Sequence, residues 1–428
     1  MSSFDLYLNL ALVFFILLTV LNYMTHRSVL YPPFIFCTMW LLELLVIRSG
    51  IIEIDPIHGN TLLIVTAGAS AFSFGGLLAD IVPSMLLRIH LFPLKPKKAN
   101  DFLRNMLMII LLCGLPLIFY QTVQLSKLVG GGSNILEKAR AAVVALDQNE
   151  EQSLSVLLLG YFSSIATFSS LLFATEKVDR KFWVVTIAAL LGCILSTGRT
   201  DLLLLISGLC AIHLLQRKQE SLSDAMRLLR WPIALFAVLF IGLFFTNKNT
   251  EEMAGGITEI VFSAVFVYIA GPLPAFDSVV QNPAEFAMPM SHTFQLPLRL
   301  AAMLHLANYT QPPAFDSYVF VPFPINVYTV FKFYFLELGT FGTLMLLLLI
   351  GFLHSLLYLK ARQGGRFSTY LFAYFMFPVL MVFFDDHYYL TGINMRAIAF
   401  GLLYFVAGSV HFRLFPATQR QLSSQAEP

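Results

Sequence analysis

Charge is what this sequence has least of. Only 12% of its 428 residues are Asp, Glu, Lys or Arg, against roughly 25% in an average soluble domain. So few charges cannot cover a water-facing surface. The 57% hydrophobic content and the mean hydropathy of +0.76 point to an integral membrane protein. A formal net charge of +2 implies no nucleic-acid partner. Cysteine is scarce too. Cys37, Cys113, Cys193 and Cys210 all fall inside apolar stretches without paired spacing, so they read as small buried side chains, not disulfides or metal ligands. No cluster of His, Cys, Asp and Glu has metal-ligand spacing, and neither a metal nor a cofactor is expected. Internal repeats and low-complexity tracts are absent, apart from a short polar C-terminal tail. No small-residue cleavage site follows the first apolar run, about Leu6 to Met24, so it is expected to stay as a span.

Long apolar runs are what the chain does have. Windows of roughly 20 residues predict an all-α polytopic membrane protein with about eleven transmembrane helices, within a range of 10–12. They lie near 4–24, 29–48, 60–82, 103–125, 154–175, 182–197, 200–216, 231–247, 333–357, 367–385 and 396–412. The whole chain, 1–428, reads as one membrane domain with two longer outer loops. One is 126–153; the other is 248–332 and carries short interfacial helices.

Lys and Arg set the orientation. Arg27, Arg88, Lys95, Lys97, Lys98 and Arg104 fall in loops of one side if spans alternate. So do Lys177, Arg180, Lys181, Arg217, Lys218, Arg227, Arg230, Lys360, Arg362, Arg366, Arg413 and Arg420. That side is expected to be cytoplasmic, with the N-terminus outside and the C-terminus inside. The cations on the other side are then informative: Arg48, Lys127, Lys138, Arg140, Arg199, Lys248, Arg299, Lys332 and Arg396. Arg199 and Arg396 each open an apolar helix at the outer boundary, where a guanidinium can face a cavity while its stem snorkels.

Several outer stretches carry chemistry. Ser196-Thr197-Gly198-Arg199-Thr200-Asp201 follows a short span and is expected to dip below the membrane surface, as an anion clamp or as a turn locked by Arg199 and Asp201. Gly130-Gly131-Gly132-Ser133 lacks the context of a phosphate loop; Arg140, on the probable helix Asn134 to Val144 after it, is either an anion contact or part of a solvated face. Gly271-Pro272-Leu273-Pro274 breaks the apolar stretch 258–280, as expected of an interfacial or re-entrant hairpin with Asp277 near its exit. Leu298 to Leu306 reads as a short amphipathic helix with Arg299 and His305. The stretch Val321 to Gly342 is oddly polar for a chain about to cross lipid, holding Asn326, Tyr328, Thr329, Lys332 and Glu337. A carboxylate at that depth costs about 2.5 kcal/mol or more unless it faces protein or water. Asp385-Asp386-His387-Tyr388-Tyr389, with Arg396 nine residues on, closes the series. Burial and a like-charged neighbour raise a carboxylate's pKa while a cation lowers it, so this group can supply a base near neutral pH. The alternative is a polar helix end with an arginine anchoring the last span.

In this order, these stretches resemble a known family. Tyr31-Pro32-Pro33-Phe34, Thr197-Gly198-Arg199-Thr200, Gly271-Pro272-Leu273-Pro274-Ala275-Phe276-Asp277, Asn326-Val327-Tyr328-Thr329, Glu337-Leu338-Gly339 and Phe384-Asp385-Asp386-His387 are similar to the oligosaccharide repeat unit polymerases, the O-antigen (Wzy-type) polymerases of bacterial envelopes. Glu337 stands where such proteins often have Asp. The resemblance implies a metal-independent glycosyltransferase of the inner membrane. At the periplasmic face it would transfer a glycan from undecaprenyl diphosphate to the terminal sugar of a second lipid-linked repeat unit. Undecaprenyl-diphosphate-linked oligosaccharides, membrane lipid, a chain-length regulator and a flippase are the partners it implies.

Arginine forks suit the diphosphate, and the chain has no Asp-x-Asp metal motif. Arg199 and Arg396 are therefore the first expected diphosphate contacts, then Arg299 and Arg140. Asp386, His387 and Glu337, in that order, are the expected base. Asn326, Tyr328, Lys332 and Asp277 are the expected glycan contacts. Segment 321–342 is expected to face segment 385–396 across the site. An O-antigen ligase, a lipid-linked oligosaccharide flippase and an outer-face acyltransferase are the alternatives.

Overall fold

A computed structural model describes residues 3–86, 100–128, 134–148, 154–196, 199–218, 221–227, 230, 266–288, 291–310, 316–388 and 391–414. Among the described residues, every regular element is a helix apart from one pair of two-residue strands. In order, the helices are α1 (Ser3–His26), α2 (Pro32–Ser49), α3 (Gly59–Leu86), α4 (Asp101–Ser126), α5 (Ile135–Gln148), α6 (Leu154–Glu176), α7 (Arg180–Leu195) and α8 (Arg199–Arg217). Then follow α9 (Pro272–Gln281), α10 (Pro283–Phe286) and α11 (Gln295–Met303), the antiparallel pair β1 (Val319–Phe320) and β2 (Pro324–Ile325), and α12 (Phe331–Arg362), α13 (Arg366–Leu380) and α14 (Thr391–Leu414).

Local sequence explains several of the boundaries. Pro32 and Pro33 open α2, where a missing N–H costs nothing, and Gly50 ends it in the left-handed conformation. The side chains of Asn100 and Asp179 cap α4 and α7 by accepting from the N–H groups of Leu103 and Phe182.

Among the described residues, seven helices are long and apolar enough to cross a membrane: Phe4–His26, Pro32–Ser49, Gly59–Val82, Asp101–Ser126, Leu154–Glu176, Thr200–Arg217 and Phe331–Arg362. Of the eleven expected spans, these seven are present among the described residues. Span 182–197 is a helix of 16 residues and span 367–385 one of 15, about 24 and 22 Å long at 1.5 Å per residue, short of a hydrocarbon core of about 30 Å. In α14 the described side chains, Met395–Ala407, form an apolar helix. Span 231–247, the Gly130–Ser133 turn, Thr197 and Gly198, Lys248, Tyr389 and the C-terminal tail lie outside the described residues, and the Arg199 side chain is not described.

Two large apolar cores hold the bundle, with a small third one between α4, α5 and α6. One joins α1, α2, α3 and α12 with α9 and the strand pair; the other joins α4, α6, α7, α8, α13 and α14. Small residues let α3 and α12 touch backbone to backbone. A Cβ on Gly351 would collide with the Phe72 carbonyl, and one on Gly75 with that of Leu348.

Among the described residues, several basic helix ends meet. Arg104, fully buried, donates to both Asp179 oxygens at 2.9 and 2.7 Å and to the Lys177 carbonyl at 3.0 Å. Glu176 lies 3.9 Å from Arg104 and 3.7 Å from Arg366, and accepts from the Tyr404 hydroxyl at 2.9 Å. Lys181 pairs with Asp101, and Gln216 donates to the Ala174 carbonyl. The Leu222 N–H reaches the Tyr23 hydroxyl, and His26 meets Asp80 at 3.0 Å. The ends of α1, α3, α6, α8, α12 and α14 and the starts of α4, α7 and α13 thus come together here, on what is called the basic face below.

Candidate functional site

Gly339 decides the geometry of the site. Its φ of 65° and ψ of −176° break α12 in two, a conformation essentially reserved for glycine. A straight helix would put Phe331 and Leu347 about 24 Å apart. Instead both side chains press on Gly68 of α3, so the limb 331–338 folds back against the limb 340–362. Gly68 lies nine residues into α3, roughly 14 Å along it. Phe331 also meets Trp40 in the interior of α2, ring centroids 5.4 Å apart. The polar stretch therefore enters the bundle before it turns out at Gly339 and crosses.

A second non-helical segment meets it there. The helix α13 starts at the basic face and stops at Leu380, about 22 Å on. The turn after it pairs with residues 329 and 330: the Thr329 N–H donates to the Phe384 carbonyl at 3.1 Å and the Val330 N–H to that of Val382 at 3.0 Å. Thr329 has φ of 69°, a strained value for a β-branched residue, and its hydroxyl accepts from the Phe331 N–H. The expected juxtaposition of 321–342 with 385–396 is present in its 329–334 and 385–388 parts.

This crossing buries a cluster of charge. Lys332 is 1% exposed and pairs with Asp316 at 2.9 Å. Its ammonium lies 3.8 Å from the Tyr328 ring centre and 4.9 Å from that of Phe333, a cation held by aromatic faces. Burial raises the Asp316 carboxyl while Lys332 opposes the rise. Burial also pushes Asp385 up to about 7, with Asp316 adding to the rise and Lys332 and the Asp386 N–H opposing it. Asp386 is fully buried and accepts from the Tyr334 hydroxyl at 2.8 Å and the Tyr388 N–H at 3.0 Å. Tyr388 in turn meets His354 Nδ1 of the crossing limb at 2.9 Å. His387 packs on Phe377, and burial holds its imidazole neutral, down at about 3.

The other expected site residues have been drawn to different places. Glu337 accepts from the Ser291 hydroxyl and the N–H groups of His292 and Thr293, at 2.7, 2.6 and 3.1 Å. That ties the limb 331–338 to the turn before α11. His292 stacks on Phe333 at 3.7 Å and is pulled to about 4 by burial and Lys332. Tyr328 is buried and donates to the Ser317 carbonyl. Asn326 is half-buried beside β2. Asp277, in the buried start of α9, accepts from the Thr61 hydroxyl and from His58 N–H and Nδ1, holding the start of α3.

The arginines occupy a separate flank. Arg396 lies over the Tyr161 ring, 4.2 Å from its centre, and close enough to Asp201 for the two charges to interact. Asp201, in the first turn of α8, accepts from Ser163, the tenth residue of α6, at 2.6 Å. Tyr374 feels both charges, and Phe377, one turn further along α13, carries His387. Arg299 is exposed on α11, which packs against α14, and Arg140 is half-buried on α5. Among the described residues no three of His, Cys, Asp and Glu converge for a metal ion.

Sequence reasoning passed over Asp316 and Glu43, and it quoted Asp385 without choosing it. Glu43 is fully buried and accepts from the Leu273 N–H at 3.2 Å, fixing the start of α9. A carboxylate inside the apolar run of α2 was a visible signal. Asp316 carries no such signal, standing in a long loop.

Comparison with known proteins gives one distant likeness. No family model matches the sequence, and no solved structure matches it. An O-antigen polymerase of Shigella dysenteriae is 25% identical over 223 residues, covering 50% of this chain and 53% of that protein. The chain thus spans about half the length of the curated relative it matches, and it is a helical membrane protein distantly similar to an O-antigen polymerase.

Proposed function

We propose that this protein is a polysaccharide polymerase of the bacterial inner membrane. It joins undecaprenyl-diphosphate-linked oligosaccharide repeat units into O-antigen or a related surface polysaccharide. The basic face is cytoplasmic, and the crossing of 329–334 with 381–388 is reached from the periplasm. The observation that carries this reading is non-helical backbone brought inside a membrane bundle around ionisable groups. Such backbone is tolerated at depth only where it lines protein or water, and such groups mark functional sites by default. The distant similarity to an O-antigen polymerase supports the same reading.

The chemistry asks for three things, and the chain supplies candidates for each. The lipid diphosphate needs cations, which Arg396 on the α6 flank and Arg199 at the start of α8 provide, with Arg299 and Arg140 further out. The acceptor hydroxyl needs a base, and carboxylates line the crossing. The lipid tail needs a groove beside the bilayer, and Tyr161, under Arg396, is 44% exposed on α6.

Deleting the gene and examining lipopolysaccharide by gel tests the proposal. The polymerase reading predicts that long chains vanish while single-repeat lipopolysaccharide remains, and that the wild-type gene restores the ladder. Loss of the single capped repeat as well would point to a ligase or flippase and reject the proposal.

A further inference from the structure

Four acid–base groups stand near the crossing, and three are either enclosed or engaged by other residues. Asp386 is fully buried, with Oδ1 taken up by Tyr334 and Tyr388 and Oδ2 closed off from solvent. Both ring nitrogens of His387 are closed off as well, so a substrate hydroxyl cannot approach either group in this conformation. Glu337 has both oxygens engaged by residues 291–293. Asp385 differs from all of them. Its Oδ1 accepts from the Asp386 N–H at 2.8 Å, and among the described residues no hydrogen bond occupies its Oδ2. Lys332 and Asp316 act on it from α12 and from the segment before β1, and Asp386 and His387 flank it on its own turn.

Resting on the polymerase reading, we propose that Asp385 is the catalytic base, with Lys332 and Asp316 as the positioning residues that set its charge. Asp385 Oδ2 takes the proton of the acceptor sugar's hydroxyl. The hydroxyl oxygen forms a bond to the donor's anomeric carbon. The bond from that carbon to the diphosphate oxygen breaks, and its electron pair leaves with the lipid diphosphate. Asp385 then returns the proton to water. A carboxyl near 7 matches this task, because a base works best with its pKa close to the operating pH. Asp316 serves a second purpose by neutralising Lys332. An ammonium left without it would hold Asp385 ionised but make it a weaker base.

The test uses the full chain, purified and reconstituted in liposomes. Its substrate is the lipid-linked repeat unit extracted from the polymerase-deletion strain. Initial rates are measured across neutral pH for wild type, Asp385→Asn, Asp385→Glu and Asp316→Asn. Wild type is expected to lose rate as pH falls through about 7, since the ionised form is the active one. Asp385→Asn is expected to fall roughly 10²- to 10⁴-fold, as for loss of a general base, with KM for the lipid-linked unit little changed. Asp385→Glu should recover part of that rate, which a purely structural role would not allow. Asp316→Asn removes an anion that raises Asp385 and frees Lys332 to lower it, so the acid limb should move to lower pH. Wild-type rates in Asp385→Asn, or an acid limb unmoved in Asp316→Asn, would overturn the assignment while leaving the polymerase reading intact. No polymer from wild type would instead defeat that reading.

Discussion

Arg104 and Lys332 are both cations with almost no exposed surface, yet their surroundings have little in common. Arg104 sits where helix ends meet. Its fork engages both oxygens of Asp179 and a carbonyl, and Glu176 beside it is shared with Arg366 and Tyr404. Two cations face two carboxylates, so charge is balanced, and both Arg104 Nη atoms find acceptors. Lys332 sits where two non-helical segments cross. One lysine there faces Asp316 and Asp385, with Asp386 next in the chain. Among the described residues carboxylates outnumber cations at that end, and no hydrogen bond occupies one oxygen of Asp385. A closed network of buried charge serves cohesion, because breaking it strands an ion in low dielectric. An open one with a displaced pKa is what chemistry requires.

Variants can break this contrast, and Arg104→Met should have the largest effect. It leaves Glu176 buried without its nearest cations in balance, a loss of about 3–5 kcal/mol, visible as a lower thermal midpoint and poor membrane yield. Gly339→Val comes next. A β-branched residue in that φ/ψ region costs about 1–3 kcal/mol, and the limb 331–338 loses its fold-back. Stability and polymer synthesis should fall together, measured on one preparation. Arg396→Ala should leave the midpoint close to wild type and raise KM for the lipid-linked donor by tenfold or more, equivalent to about 1.4 kcal/mol. An unchanged KM would remove Arg396 from the diphosphate site. Glu337→Gln should be mildest. It weakens the hold on residues 291–293 by about 1–2 kcal/mol, read as faster hydrogen exchange in that turn with less than tenfold change in rate.

The sequence made some of this plain and hid the rest for identifiable reasons. Apolar runs located the seven long helices, since a span needs little beyond length and hydropathy. The runs at α7 and α13 are apolar throughout, yet these helices have only 16 and 15 residues, and hydropathy does not show where a helix ends. The fold-back at Gly339 was invisible for the same reason: Phe335 to Leu349 reads as one helix. Lys332 and the Asp385–His387 stretch stood out as charge in apolar context, so the place of the site was legible. The roles within it were not. Whether a carboxylate is spent on a loop, as Glu337 and Asp277 are, or left open, as Asp385 is, depends on partners 44 to 219 residues away. No local pattern encodes that. Asp316 and Glu43 belong to the same class, each defined by a contact distant in the chain.

The contrast between the two buried groups can be measured in one paired experiment. Asp385→Asn and Asp179→Asn are each purified, and the thermal midpoint and the rate of polymer synthesis per folded molecule are recorded together. The account predicts that Asp385→Asn keeps or raises the midpoint and makes no polymer, while Asp179→Asn melts earlier and polymerises at the wild-type rate. A folded Asp385→Asn protein that still builds long chains would contradict it.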